Sequence, residues 1–286
     1  MPFITKFRVI QSRQMHVKAI KMRWLTGGVN YSYLVSTDDQ KASWLIDPAE
    51  PLEVLSSLSR SEKQNVTAIV NTHHHYDHSG GNIAILAALK TIGISVPVIA
   101  GSNISPRATE IPKHLQRYQL GDTIDILCIR TPCHTQDSIC YFMEDKKSGD
   151  CAVFTGDTLF TAGCGRFFEG TAKEMDMALN QNLINHVEKL SSAKVYPGHE
   201  YTKGNVLFVR SAIYKNYGEN EAFDELEKFT NANEVTTGHF TLKDETNYNP
   251  FMRLNDPIVR KRVGDKDGSW TSSQVMNKLR HMKNNA

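Results

Sequence analysis

The chain has 286 residues, 40% of them hydrophobic and 22% charged, which is the composition of a folded protein with one large domain or a large and a small one. Its 33 Lys and Arg residues nearly balance 31 Asp and Glu residues, so charge alone indicates neither a nucleic-acid nor a membrane partner, although a small anionic substrate needs only a local basic cluster. No apolar run approaches the roughly 20 residues of a membrane-spanning helix, and the five cysteines contain no C-x-x-C pair, which argues against a disulfide framework and a thiolate zinc site.

Residues 1–14 differ from the rest of the chain in composition. They include Lys6, Arg8 and Arg13, contain no acidic residue, and lack the apolar core of a secretory signal. This composition predicts a short mitochondrial presequence and therefore a location in the mitochondrial matrix. The alternative is a frayed extension that is bypassed by initiation at Met15, in which case the protein would be cytoplasmic.

Short apolar, β-branched and aromatic runs follow this segment. We predict three consecutive strands of one sheet at residues 16–24, 31–36 and 43–47. Four further strands are predicted at residues 66–70, 124–129, 152–155 and 193–196. Each of these four runs is followed within a few residues by a histidine or an aspartate, so each strand delivers a polar side chain at its C-terminal end.

Helical spacing of apolar residues is found between and after these strands. The predicted helices cover residues 82–89, 171–190, 205–217, 219–231 and 272–283, the last of them basic. Residues 240–249 are polar and are predicted to be irregular. Because the composition changes after His199, we place a boundary near Glu200, between a domain of residues 15–199 and a helical domain of residues 200–286. Sheets with helices outside them are the expected layers.

The string His73-x-His75-x-Asp77-His78 contains four candidate metal ligands in six positions. Residues two apart on an extended strand end face the same way, so His73 and His75 can share one ion while the following turn presents Asp77 and His78 to another. Imidazole and carboxylate without thiolate suit Zn²⁺, Fe or Mn²⁺. The alternative is a surface histidine cluster, or core histidines that bond to backbone carbonyls.

Three single residues follow the later strands: His134, Asp157 and His199. Taken singly, each has an ordinary alternative, since His134 suits a turn, Asp157 a helix cap and His199 a packing position. Their shared placement after strands, on the edge that carries the first cluster, favours a metal site instead. Three histidines with a shared aspartate can hold one metal, and two histidines with Asp77 and the same aspartate can hold the other, which leaves a bridging water or hydroxide.

The segments THHHYDHSGGN, TPCHT, FTGDTLF and YPGHEYT, in this order, resemble the metal motifs of the metallo-β-lactamase superfamily. GCGRFFEGT, NPFMR and the basic C-terminal helix resemble glyoxalase II, especially its fungal members, over nearly all of residues 15–286.

The resemblance implies the α+β class, with an αβ/βα four-layer sandwich and a C-terminal α-helical domain. It also implies hydrolysis of S-(2-hydroxyacyl)glutathione, typically S-D-lactoylglutathione, to D-lactate and glutathione, the second step of methylglyoxal detoxification. The implied ligands are His73, His75 and His134 for one metal, Asp77, His78 and His199 for the other, with Asp157 bridging.

The resemblance implies glutathione contacts as well. They fall on Arg166, Phe168, Tyr201, Arg280 and Lys283. Many members of the family carry a lysine and then a tyrosine where this chain has Arg166 and Phe168, so the charge is kept and the hydroxyl is lost. Gln136-Asp137-Ser138 replaces a stretch in which many members have a second histidine, which is not an expected ligand. The alternative for the last two residues is a solvated basic helix face.

The expected nucleophile is hydroxide formed from water between two divalent metals, with Zn²⁺ ahead of Fe or Mn²⁺ and with Asp77 and Asp157 as the catalytic residues that position it. A persulfide dioxygenase of the same fold is the competing enzyme, but it would use a single iron and would not need the second ligand set or the helical domain. A β-lactamase, a nucleic-acid-processing relative and a metal that only stabilises the fold agree less well with the composition and the ligand set. We expect no nucleic-acid or membrane partner, and a monomer.

Overall fold

Two mixed five-stranded sheets form the centre of the computed structural model, which describes residues 14–286. The first sheet has the order β1-β2-β3-β4-β5 and contains His16–Met22, Asn30–Ser36, Ser43–Ile46, Val66–Val70 and Val98–Ile99. The second has the order β12-β9-β8-β7-β6 and contains, in chain order from β6, Gln116–Leu120, Ile124–Arg130, Ile139–Asp145, Cys151–Gly156 and, as β12, Ala193–Pro197. A small hairpin of β10 (Leu159–Phe160) and β11 (Gly163–Cys164) follows β9.

The helices lie outside these sheets. In the first half of the chain they are α1 (Pro51–Ser57), α2 (Arg60–Gln64), α3 (Tyr76–Ser79) and α4 (Asn82–Thr91). They continue with α5 (Ala172–Met177), a π-helical segment (Ala178–Leu183), α6 (Ile184–His186), α7 (Thr202–Ala212), α8 (Glu221–Ala232), α9 (Leu242–Tyr248), α10 (Pro257–Val263) and α11 (Ser272–Asn284). Between residues 14 and 286, no helix has both the length and the apolar character needed to cross a bilayer.

Three clusters of buried side chains join the layers. The cluster between the two sheets includes Tyr33, Trp44, Tyr141 and Phe154, with the Tyr33 and Phe154 rings 5.3 Å apart. A second cluster joins the outer face of the first sheet to α1 and α4. The third joins the outer face of the second sheet to α5, α7, α8 and α11. Helices, sheet, sheet and helices therefore form four layers, which confirms the predicted fold class.

Most predicted strands are close to the observed ones. Residues 66–70 coincide with β4, whereas β1 ends at Met22 rather than at residue 24, because Arg23 is left-handed (φ 63°) and a 3₁₀ turn follows. The buried strand β8 and the short β6 were not predicted. The residues of β8 are almost all buried, so polar alternation is weak, and β6 consists mainly of polar residues.

The predictions for the helical regions need three corrections. The helix predicted for residues 205–217 corresponds to α7, which begins at Thr202 and already ends at Ala212. The prediction that residues 240–249 are irregular is wrong, because α9 lies there. Thr241 and Asp244 form a capping box that begins this helix although its exposed face is polar. The helix predicted for residues 171–190 ends at His186, since Val187 is extended and buried in the core. The presequence prediction falls on residues that lie outside the described part of the chain, apart from Gln14.

Phe154 tests how much the core between the sheets contributes to the stability of the fold. Its ring is fully buried on β9, three residues before Asp157, and stacks on Tyr196 at 4.9 Å. We expect Phe154→Ala to lower the free energy of unfolding by about 3–5 kcal/mol, since it removes a buried ring and leaves a cavity. Leu52→Ala is the control, because Leu52 is 87% exposed and should change stability by less than about 0.5 kcal/mol. Denaturant unfolding measures both, and equal losses would contradict this description of the core.

Candidate metal centre and adjoining cleft

Four strands deliver the seven predicted ligands to one edge of the paired sheets. The segment after β4 carries His73, His75, Asp77 and His78, and the other three, each after a different strand, are His134, Asp157 and His199. Five of the seven are buried, while His75 and Asp77 are partly exposed. The structure thus brings together every ligand position that the sequence predicted.

Three imidazoles converge on one point. His75 Nδ1 lies 3.1 Å from both His73 Nε2 and His134 Nε2. The outer nitrogens of two of these rings are already bonded, because His134 Nδ1 lies 2.9 Å from the Arg166 carbonyl and His73 Nδ1 lies 3.1 Å from Thr72 Oγ1. Burial is the main cause that lowers the pKa of all three histidines, so they are neutral and offer lone pairs, as metal ligands must.

A second group lies beside the first. His78 Nε2 and His199 Nε2 are 3.2 Å apart, and Asp77 Oδ2 lies 3.4 Å from His199 Nε2 and 4.0 Å from His78 Nε2. The Asp77 carboxylate is held by Asn30, whose Nδ2 donates to Asp77 Oδ2 at 3.3 Å and to the Asp77 carbonyl at 3.2 Å. One carboxylate and two imidazoles therefore face a common point.

The Asp157 carboxylate lies between the two groups. Its Oδ2 is 3.5 Å from His134 Nε2 and 3.3 Å from His199 Nε2, and its Oδ1 is 3.3 Å from His78 Nε2. Burial opposes ionisation of this group, but the imidazoles of His199 and His78 hold its pKa well below the usual range. Asp157 is therefore a carboxylate that reaches both groups.

The donor chemistry fits a pair of divalent cations. Asp157 Oδ1 is buried without a hydrogen-bond partner among residues 14–286, although a buried carboxylate oxygen normally has one. The candidate ligand atoms form three sets, and within each set they lie within 4.8 Å of one another. The sets are His73, His75 and His134; His73, His78 and Asp157; and Asp77, His78 and His199. Oxygen and nitrogen donors without thiolate are typical of Zn²⁺, Fe and Mn²⁺ sites. The arrangement is a dinuclear metal site.

Asp47 is a functional residue that our sequence reasoning missed. Its Oδ2 lies 2.9 Å from His78 Nδ1 and accepts from Thr72 Oγ1 at 2.6 Å, while its Oδ1 accepts from the Thr72 backbone N–H at 2.8 Å. Burial opposes a proton on His78, but Asp157 and Asp47 together raise the pKa of the imidazole. The signal was present, because Asp47 directly follows β3, as the metal ligands follow the other strands.

His74 lies in the same string but does not join the centre. Its Nδ1 is 2.9 Å from Asp137 Oδ1, and Asp137 also accepts from Ser102 Oγ at 2.7 Å. Asp137 belongs to the stretch that lacks a second histidine. His74 is therefore bound to the Asp137 carboxylate and belongs to none of the candidate ligand sets of the described chain.

A cleft of about 740 Å³ opens beside the two ligand groups. All five predicted glutathione contacts line it, namely Arg166, Phe168, Tyr201, Arg280 and Lys283. The Phe168 ring packs against His134 at 5.2 Å, and the Tyr201 ring stacks on His199 at 4.7 Å with an interplanar angle of 7°. These two rings thus stand over the two ligand groups.

The basic end of the cleft comes from α11. Arg280 is 7% exposed, donates from Nη1 to the Cys164 carbonyl at 2.8 Å, and keeps its Nε without a partner in the described chain. Lys283 Nζ donates to the Gly204 carbonyl at 2.7 Å. Burial, and then the charge of Arg280, lower the pKa of Lys283 to about 8. The side chains of Arg280 and Lys283 are thus hydrogen-bonded to the protein, unlike those of a solvated basic face. Arg166, in contrast, is exposed at the rim of the cleft.

Comparisons with known proteins agree with this fold. Residues 25–199 match the family model of the metallo-beta-lactamase superfamily, and residues 200–286 match the model described as hydroxyacylglutathione hydrolase C-terminus. The solved structure of ETHE1 from Myxococcus xanthus shares the fold with a TM-score of 0.57, at 20% identity over 95% of this chain and 91% of that one. The protein is a metal-dependent hydrolase of the metallo-β-lactamase superfamily.

Two curated relatives narrow this class. The chain is 59% identical to "Hydroxyacylglutathione hydrolase, mitochondrial" of Saccharomyces cerevisiae, over 98% of this chain and 99% of the relative. It is 58% identical to the cytoplasmic isozyme of the same organism, over 94% and 99%. The chain therefore belongs to the hydroxyacylglutathione hydrolases, the glyoxalase II family, as the sequence motifs predicted.

Asp47 and Asp137 offer a matched test of the metal centre, since each carboxylate holds one histidine of the same string. In Asp47→Asn, the amide cannot accept from both Thr72 donors and His78, so we expect metal affinity to fall about 10–100-fold. In Asp137→Asn, the affected histidine is no ligand, and the affinity should stay within about three-fold. Competition with a chromophoric chelator measures both, and equal effects would exclude a specific role for Asp47.

Proposed function

We propose that the chain hydrolyses the thioester of S-(2-hydroxyacyl)glutathione, with S-D-lactoylglutathione as its typical substrate and D-lactate and glutathione as products. This reaction is the glyoxalase II step of methylglyoxal detoxification. One observation carries the proposal: the seven-residue centre opens into a cleft whose far side is basic. A reactive thioester can lie over the centre while the carboxylates of glutathione reach the basic side chains.

The proposed ligands divide into two sets that share one carboxylate. His73, His75 and His134 would hold one cation, and Asp77, His78 and His199 the other, with Asp157 reaching both. Zn²⁺ is the proposed metal in both positions, with Fe or Mn²⁺ as alternatives, because all three accept imidazole and carboxylate. When bound, the cations would supply acidified water and stabilise negative charge on the thioester oxygen.

The two aspartates are the proposed catalytic residues. Asp77 Oδ2 and Asp157 Oδ2 both face the space between the ligand groups, at 3.4 Å and 3.3 Å from His199 Nε2. Carboxylate oxygens placed there accept hydrogen bonds from an attacking water and fix its direction. The leaving thiol has a pKa of about 8.5, so it departs as thiolate without a general acid from the protein.

The glutathione moiety binds along the cleft. We assign its carboxylates to Arg166, Arg280 and Lys283. Each charge-assisted hydrogen bond to the more buried Arg280 and Lys283 contributes about 1.5–3 kcal/mol, and the exposed Arg166 contributes less because water screens it. Phe168 and Tyr201 lie on the ligand imidazoles and would enclose the thioester between them. The missing hydroxyl of Phe168 leaves that side of the substrate with an apolar contact.

We propose further that residues 15–199 form the metal domain and residues 200–286 the glutathione-binding domain, that the protein is a monomer, and that it works in the mitochondrial matrix. The match to the mitochondrial relative covers 98% of this chain, against 94% for the cytoplasmic isozyme. The longer match must include part of residues 1–14, whose basic composition supports targeting. Initiation at Met15 would yield a cytoplasmic form.

Steady-state hydrolysis of S-D-lactoylglutathione, with the metal content measured, tests the proposal. We expect about two metals per chain and robust turnover. Asp157→Ala should lose at least about 100-fold in kcat, because it removes the carboxylate that both ligand groups share. Lys283→Ala should raise KM about ten-fold and leave kcat almost unchanged, as expected for a binding contact.

The same experiment has an outcome that would overturn the proposal. No thioester cleavage, together with oxygen consumption in the presence of glutathione persulfide and a single bound iron, would replace the hydrolase with a dioxygenase. Leu207→Ala provides a control for nonspecific effects, since this side chain is 70% exposed and does not line the cleft.

The lowered pKa of Lys283 predicts how substrate capture depends on pH. Below pH 8 the ammonium group is charged and binds a carboxylate, and above pH 8 the charge is lost, so kcat/KM should fall as pH rises through about 8. In Lys283→Arg the side chain stays charged throughout this range, and the fall should disappear. The pH profile of kcat/KM for both proteins measures this effect, and an unchanged inflection in the arginine variant would assign it to another group.

A further inference from the structure

A short hairpin forms one wall of the cleft. Residues 159–164, here called the cleft hairpin, pair through only two residue pairs, Leu159 with Cys164 and Phe160 with Gly163. The Phe160 ring lies 5.1 Å from the Tyr201 ring, and the Cys164 carbonyl accepts the hydrogen bond from Arg280. Two of the proposed glutathione contacts therefore depend on where this hairpin stands.

The conformation of the cleft hairpin depends on contacts with the surrounding chain. At its turn, Ala162 is left-handed (φ 56°), a conformation that L side chains rarely adopt and that needs support from surrounding contacts. At the start of the hairpin, Thr155 Oγ1 on β9 donates to the Leu159 carbonyl at 2.7 Å, and next to the turn Asn205 Nδ2 on α7 donates to the Thr161 carbonyl at 3.0 Å. The turn itself is held by two further residues of the C-terminal part of the chain. Glu245 Oε2 accepts from the Ala162 backbone N–H at 3.0 Å, and Asn249 Nδ2 donates to the Gly163 carbonyl at 3.0 Å.

Glu245 is an unusual residue for this position. Its side chain is fully buried on α9, next to apolar residues, and no ion pair in the described chain includes it. Its other hydrogen bonds come from Asn249 Nδ2 to Oε2 at 2.9 Å and from Tyr248 Oη to Oε1 at 2.6 Å. A buried carboxyl group without an ion pair lowers the stability of the fold. The hydrogen bond from Glu245 to the cleft hairpin therefore explains the presence of this side chain better than a contribution to stability does.

We propose that Glu245 is a positioning residue for the cleft: by accepting the Ala162 N–H it fixes the cleft hairpin, and thereby sets the affinity for the glutathione moiety. This inference rests on the proposed function. Glu245 is not a candidate metal ligand and does not line the cleft, so its action on the substrate passes through the hairpin residues Phe160 and Cys164, which do line it.

The protonation of Glu245 is compatible with this role. Burial, with a further contribution from the Asp244 charge, raises the pKa of Glu245 to about 8. Below that pH the group is largely uncharged, and one of its oxygens still accepts from Ala162 while the other bonds with Tyr248. Glutamine has the same reach and keeps one acceptor oxygen, with an amide that can donate to the tyrosine oxygen.

A matched pair of substitutions tests the role. Glu245→Met keeps the length of the side chain but removes the acceptor, so the Ala162 N–H loses its partner. We expect KM for S-D-lactoylglutathione, and Kd for glutathione by calorimetry, to rise about ten-fold, with kcat and metal content within about two-fold of the unchanged protein. In Glu245→Gln, which keeps an acceptor oxygen, both constants should stay within about two-fold of those of the unchanged protein.

Tyr248→Phe is the control, because it removes a hydrogen bond from the oxygen that does not hold the hairpin. It should lower stability and leave KM unchanged. If Glu245→Met does not fold, Glu245→Asp takes its place, since the shorter carboxylate withdraws from Ala162 and should also raise KM. A folded methionine or aspartate variant whose KM and glutathione Kd match those of Tyr248→Phe would overturn the positioning role. If the unchanged protein itself fails to cleave the thioester, the proposed function fails instead.

Discussion

The carboxylate of Asp157 is the constraint around which the site is arranged. It lies within 3.5 Å of imidazoles from three separate segments, His78, His134 and His199, and one of its oxygens has no other partner. Two glycines, Gly198 and Gly165, leave space for the chain around this carboxylate. A Cβ on Gly198 would overlap Asp157 Oδ1 and stand 2.6 Å from the His78 ring, and a Cβ on Gly165 would overlap the Asp157 carbonyl. These two glycines are therefore required by the close approach of the chain to a buried charge.

The buried carboxylate of Asp157 lies where several strands end together. Strands β4, β7, β9 and β12 come from both sheets, and the aromatic cluster that includes Tyr33 and Phe154 keeps the sheets in register. The protein interior is nearly as dense as a molecular crystal, so a displacement of one sheet would move some of the ligands relative to the others. The rigid core between the sheets thus serves the geometry of the metal centre as well as the stability of the fold.

The sequence could predict which side chains come together at the centre, because the candidate ligands are concentrated in it. Four ligands lie in six positions, and the rest follow strands whose ends must share an edge, so single weak signals at Asp157 and His199 supported one another. Asp47 was missed although it directly follows β3, because its role comes from contacts with His78 Nδ1 and Thr72 that the sequence alone does not show. Helix α9 was missed for a related reason: its cap at Thr241 is local, but its apolar contacts are with distant parts of the chain, and polar residues dominate its sequence.

The two parts of the chain are tied more closely than two independent domains would be. One continuous buried cluster includes residues of β9 and β12 together with residues of α7, α9 and α11, and Glu245 and Arg280 both bond to the hairpin that follows β9. Under the proposed function, loosening these contacts would move the proposed glutathione contacts, while the two sheets would still hold the segments that carry the candidate ligands. Under the proposed function, the affinity for glutathione can therefore change while the seven candidate ligands keep their positions.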